Sequence, residues 1–214
     1  MPTLPPAFCR RPVLEVARAL PGVMLVRRTA EGLSAGVIVE VEAYGGPQDL
    51  ASHARAGRTA RTAPMFGPPG RAYVYLVYGM HHCLNVVTDD EGTAGAVLLR
   101  ALEPVQGVQL MRSRRGRPLD PPERLAAGPA RLCQALAVDR SLDGHDLTLG
   151  AQLWLAWPGE GAYRARRAAG LSVGPRVGVG YAGGGWAQRP WRFGLAGSAA
   201  ISAPFPAAPP MDAR

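Results

Sequence analysis

Glu40, Glu42 and Tyr44 alternate in the segment GVIVEVEAYGG, so a strand over residues 36–44 turns all three to one face, with Ile38 beside them and Val37, Val39 and Val41 opposite. Carboxylates two residues apart on one face lie roughly 7 Å from each other, near enough that burying both would raise the pKa of one. Tyr44 adds a flat ring beside Glu42 where Gly45-Gly46-Pro47 ends the strand. A second aromatic set, YVYLVYG, puts Tyr73 and Tyr75 on one strand face and turns Tyr78 the other way beside Gly79. Tyr78 at a turn, followed by Met80, is a costly exposed aromatic unless something packs against it. The loop HARAGRTARTAPMFGPPGR carries Arg55, Arg58, Arg61 and Arg71 among glycines and suits phosphate contacts, or simply solvent. Arg100 closes the apolar run AVLLR, either reaching the surface or turned inward to a carboxylate such as Glu42. A carboxylate to deprotonate water, rings to hold a flat group and a wedge beside basic loops together suit an enzyme that turns a base out of DNA. Taken singly, each has a plainer reading as a solvated face, a core tyrosine or a surface loop.

These residues need elements to hold them. PVLEVARAL suits a helix over 12–20 with Pro12 in its first turn, followed by strands over 22–28 and 36–44 separated by TAEGLSAG. Residues 45–71 form a Gly/Pro/Arg-rich connection longer than compact domains usually carry without a function. AYVYLVYGMHHCLNVVT reads as strand, turn near Gly79 and strand, and AGAVLLRAL as a strand over 95–101. Helices are expected over 104–115 and 129–137, and strands over 151–157, 176–179 and 191–195. With no internal repeat and no regular βαβ alternation, the fold class is α+β: one domain over 12–202 with a curved, mostly antiparallel sheet flanked by helices. Residues 1–11 are expected to be loose and 203–214 to form a disordered tail.

Composition narrows the chemistry. The formal charge is +8, and all 24 cationic residues are arginine. Arginine forks take phosphate oxygens in pairs, although coding bias alone can replace lysine. No lysine side chain exists to form a Schiff base. Cys9, Cys83 and Cys133 form no CxxC pair, and His81, His82 and Cys83 alternate faces on one strand, so no metal site is expected. No run of eighteen apolar residues is present, and MPTLPPAFCRRPVLEV has no targeting pattern; the expected location is the cytoplasm, with the nucleoid.

Read together, VEVEAYGGPQDLASHARAGR, MFGPPGRAYVYLVYGMHHCLN, VLLRALEP, GPARLCQAL and WRFGLAGS resemble the mammalian-type alkyladenine (3-methyladenine) DNA glycosylases, in that family's order and over about residues 12–202. The resemblance implies a monofunctional enzyme of base excision repair that excises alkylated or deaminated purines from double-stranded DNA as a monomer, with no metal or organic cofactor. It implies Glu42 as the general base and Arg100 as a holder of the attacking water, with a carbonyl near Ile201 as a third water ligand. It further implies Tyr44 and Tyr75 around the flipped base with His53 at its edge, Asn85 screening against guanine, and Tyr78 filling the gap in the duplex beside Met80. Arg55 is assigned with Met80 to DNA binding, and Glu40 to a supporting role. The loop from His53 to Met65 is a residue shorter than in comparable members, and His81 and His82 replace aromatic-rich flanks.

Two other glycosylase classes fit less. MPTLPP has the N-terminal proline of formamidopyrimidine-type lyases but Thr3 where a glutamate should follow, and ALPGV is succeeded by a strand rather than the second helix of a helix-hairpin-helix. A non-catalytic binder of damaged DNA is the remaining alternative.

Overall fold

The computed structural model describes residues 1–206. Two short helices, α1 (Pro6–Cys9) and α2 (Val13–Ala19), lead into strands β1 (Met24–Thr29) and β2 (Gly32–Tyr44). The hairpin β3 (Ala72–Val77) and β4 (His81–Val87) is followed by β5 (Ala96–Gln106) and helices α3 (Val108–Arg115), α4 (Pro122–Leu125) and α5 (Pro129–Ala135). Then come β6 (Leu153–Ala156), α6 (Glu160–Arg167), β7 (Leu171–Gly174) and β8 (Arg192–Leu195). The strands form one sheet in the order β3-β4-β5-β2-β1-β6, with β8 against β2 and β7 against β8. Every pairing is antiparallel, as the α+β reading requires.

The main core lies between the sheet and helices α2 and α5, where Val16, Leu20, Leu132 and Leu136 meet Ile38, Val41, Leu84 and Leu99. A smaller cluster of Met24, Val26, Val37, Val39, Ala101 and Trp154 covers part of the other face. With clusters on both faces, β2 is buried from Ser34 to Ala43, its two glutamates included.

The alternation expected along β2 is broken. Ile38 pairs with Leu102, Glu40 with Ala101 and Val41 with Leu99, so Val39 and Arg100 are both passed over in the ladder. These bulges move Ile38 into the main core with Val41 and Ala43, and leave Val37 and Val39 in the second cluster. They also aim Arg100 towards the glutamates: extra residues twist a strand and redirect a side chain.

Four other expectations change. Strand β5 continues through Gln106 where a helix was expected from residue 104; Gly107, at φ 71°, makes the break and α3 begins after it. Residues 176–179 are not a strand, because the Arg176 side chain is engaged in the interior and Gly178 has φ 78°; β7 lies a few residues earlier. Residues 1–11 are not loose. Thr3 bridges to Ala156, the Leu4 amide donates to Leu155 O, and Leu4 and Cys9 are buried, so the segment covers the outer edge of β6. Of the expected tail, Ala203 O and Pro204 O accept from Arg192 and the Phe205 ring lies 3.9 Å from its guanidinium carbon; residues 207–214 lie outside the described residues.

Candidate active site

One row of residues crosses four strand pairings: Tyr73 opposite Asn85, Asn85 opposite Leu98, Leu98 opposite Glu42, and Glu42 opposite Arg192. Residues directly opposite share a face, so the row sets catalytic-type and aromatic side chains on one surface. Above it opens a cavity of about 500 Å³ lined by Tyr44, His53, Tyr73, Tyr75, Asn85 and Arg100, among others. That volume suits one small flat ligand.

Glu42 lies beneath the lining rather than on it, at 0% exposure. Its Oε1 accepts from the Val177 amide at 2.6 Å and faces Arg100 Nη1 at 3.3 Å; its Oε2 accepts from the Tyr44 hydroxyl at 2.8 Å. A carboxylate offers about four lone-pair sites, so room remains for one further donor. Burial raises the Glu42 pKa above the ordinary carboxylate range, against the pull of Arg100, the Val177 amide and the Tyr44 hydroxyl. Arg100, 7% exposed, is the member that reaches the cavity. Burial lowers its pKa, but Glu42 and then Glu40 more than offset this and leave it raised.

Glu40 faces the interior instead. Its Oε1 accepts from Arg100 Nε at 3.1 Å and Arg192 Nη1 at 3.0 Å, and its Oε2 from the Ser202 amide at 2.6 Å. The Ser202 hydroxyl also accepts from Arg100 Nε and Nη2. Glu40 therefore spaces two arginines and ties down the segment after β8. The Ser202 groups, next to Ile201, are what this segment brings to Glu40 and Arg100.

At the other end, His53 Nδ1 lies 3.0 Å from the Tyr73 hydroxyl, and its ring meets Tyr75 edge-on with centroids 4.6 Å apart. Burial lowers the His53 pKa, and Arg61 and Arg55 lower it further, so the imidazole is neutral at neutral pH. Burial likewise raises the phenol pKa of Tyr44 and Tyr75. The Asn85 amide donates to Tyr73 O at 3.0 Å, which fixes its orientation at the cavity wall.

The β3–β4 hairpin closes through Tyr78 (φ 53°) and Gly79 (φ 69°), with the Met80 amide donating to Val77 O at 3.2 Å. Two central residues with positive φ make this a type I′ turn. Tyrosine is a poor choice for that backbone, yet Tyr78 is 89% exposed and Met80 70%. Nothing in the fold accounts for this strained, exposed tip, since neither side chain is packed against the core. Arg55 stands on a separate loop, donating to Leu50 O and lying 5.4 Å from the Tyr181 ring, which is also exposed and lines the cavity.

Sequence reasoning missed Tyr73 as the partner of His53, Arg192 as the partner of Glu40, and the buried pair Asp49–Arg176. A lone acid in GGPQDLAS and a lone arginine in VGPRVGVG carry no local signal of pairing. Among the described residues, no group of three or more His, Cys, Asp or Glu could hold a metal ion, and no helix is long and apolar enough to cross a membrane.

Comparison with known proteins relates the sequence to one family. The methylpurine-DNA glycosylase family model matches residues 7–199. A protein of Anaeromyxobacter dehalogenans (strain 2CP-C) named "Putative 3-methyladenine DNA glycosylase" is 52% identical over 204 residues, 95% of this chain and 88% of its own length. One of Methanocella arvoryzae with the same name is 47% identical over 193 residues, 90% of this chain and 92% of its own. The "DNA-3-methyladenine glycosylase" of Mus musculus is 44% identical over 219 residues, 98% of this chain and 64% of its own length. With the family's segments running the length of the fold that builds the cavity, the chain belongs to the methylpurine-DNA glycosylase family.

Proposed function

We propose that the protein is a monofunctional DNA glycosylase of base excision repair that flips alkylated or deaminated purines, 3-methyladenine foremost and hypoxanthine and ethenoadenine among them, out of duplex DNA and hydrolyses the bond between base and sugar. The observation that carries this reading is the Glu42–Arg100 pair beneath an aromatic cavity. Tyr78 fills the space the base leaves, with Met80 beside it, and Arg55 contacts the backbone. Tyr44 and Tyr75 hold the base by stacking, His53 meets its edge, and Asn85 excludes a guanine amine by occupying its place.

Arg100 holds a water that gives up its proton to Glu42. The water oxygen bonds to C1′, and the glycosidic electron pair leaves with the base. A cationic alkylated purine departs neutral, so no acid is required for it. Glu42 also stabilises positive charge developing on the sugar. Burial raises its pKa, which makes it a stronger base than an ordinary carboxylate. Without lysine, no side-chain imine competes with hydrolysis. The protein acts as a monomer on the nucleoid.

The test is base release from methylated duplex DNA, with strand analysis before and after hot alkali. Free 3-methyladenine with breaks only after alkali is the expected result. Lesion-selective binding without release would overturn the catalytic reading and favour a damage-binding protein.

A further inference from the structure

We infer that Arg176, clamped by Asp49, is a positioning residue that sets both the base and the stacking ring of this site; this rests on the proposed role of Glu42. Both side chains are fully buried. Arg176 Nη1 donates to Asp49 Oδ2 at 2.6 Å and to Ala43 O at 2.9 Å, and Nη2 donates to Asp49 Oδ1 at 2.9 Å and to Trp186 O at 3.2 Å. Asp49 in turn accepts from the Gly45 and Ala51 amides. The pair thus joins the loop after β2 to the loop after β7.

Two consequences reach the chemistry. The next residue, Val177, donates its amide to Glu42 Oε1 at 2.6 Å, so the clamp decides whether that donor is in place. The guanidinium carbon also lies 4.8 Å from the Tyr44 ring and 5.1 Å from Trp191, which backs Tyr44 with a fixed flat group. Tyr44 both lines the cavity and donates to Glu42. A buried ion pair is a weak source of stability compared with apolar packing. Its use here, where four donors are fixed and the neighbouring amide meets the base, fits orientation better.

The other charged or titratable groups facing Glu42 are Arg100 from β5, Glu40 and Tyr44 from its own strand, Tyr75 from β3 and Cys83 from β4, with Arg192 of β8 reaching Glu40. Of these only Tyr44 lies against Arg176, and its hydroxyl, like the Val177 amide, favours the ionised carboxylate. Losing the Val177 amide removes one interaction that favours the ionised carboxylate, so the acid limb of the rate should move to higher pH.

The experiment measures single-turnover release from methylated duplex DNA between pH 5 and 9 for the parent and Arg176→Lys, which keeps the charge but not the fork. The expected loss is roughly tenfold at the acid end, the size one charge-assisted hydrogen bond allows, and much smaller at the alkaline end. Equal loss at every pH would overturn the inference, since that is what a reduced folded fraction produces. Should Arg176→Lys not fold, Asp49→Asn is measured in the same way. The parent protein offers an independent check: rapid hydrogen exchange at the Val177 amide would also overturn the inference. Glu42→Gln separates the two claims. Retained excision in that variant defeats the assignment of the base; lost excision with an unchanged profile in Arg176→Lys defeats only the positioning role.

Discussion

Glu42 carries its charge in a buried position, and its neighbours only partly compensate. A carboxyl group whose folded pKa is raised favours the folded state below the unfolded pKa, and that contribution is lost as pH rises through the folded value. At pH 8 the ionised group is therefore a cost. Glu42→Gln should abolish excision yet stabilise the protein at pH 8, with the advantage shrinking towards pH 4; Arg100 keeps Glu40 and Ser202 as partners. Denaturant titrations of both proteins across that range check the sign. Tyr78 sets a similar opposition between function and stability. Tyr78→Gly relieves a left-handed backbone and should stabilise by about 1 kcal/mol, while weakening binding to a lesion-bearing duplex by roughly tenfold, within the few kcal/mol that flipping costs. A melting curve and a binding isotherm on the same variant read both effects.

At the scale of elements, β2 and β5 determine what the site can be. Paired bulges around Val39 and Arg100 let one strand serve two cores and still deliver Tyr44 to the cavity with Glu42 just beneath it, while Glu40 holds Arg100 from the interior. Strand β8 completes the support by bringing Arg192 to Glu40. Gly194, opposite Glu40 on β8, has no room for a side chain: a Cβ there would lie 2.6 Å from the Phe205 ring and 3.1 Å from Ile201. Gly194→Ala should destabilise by about 1–3 kcal/mol and displace the segment carrying Ser202, lowering the excision rate of the protein that remains folded. Calorimetry with single-turnover kinetics tests this; an unchanged rate would mean that the Ser202 segment does not tune the site. The β3–β4 hairpin was legible because alternation and Gly79 are local signals. The bulges were not, because a passed-over residue is defined only by its partner strand.

Over the whole molecule, charge drives association. Arg55 and Arg58 stand on the loop beside the cavity, and a protein of formal charge +8 meets a polyanion. Each phosphate contact adds roughly 0.9 to the slope of log affinity against log salt. Arg55→Ala with Arg58→Ala should therefore flatten that slope by about 1–2 units, while leaving excision from saturated complexes near the parent rate. A slope identical to the parent's would place the DNA path elsewhere.

The sequence by itself determined the class of fold, the hairpin with its aromatic tip, and the set of side chains able to do the chemistry, because these follow from alternation, turn residues and residue type within short windows. Only the tertiary structure gave the two glutamates their different partners. Glu40 and Glu42 look alike along the strand, and their surroundings separate through partners far away in sequence: Arg100 at 60 positions from Glu40, Arg192 at 152 and the Ser202 amide at 162, with Val177 at 135 from Glu42. Burial follows the same logic. A carboxylate's pKa depends on everything packed around it, and packing joins segments that no local pattern connects.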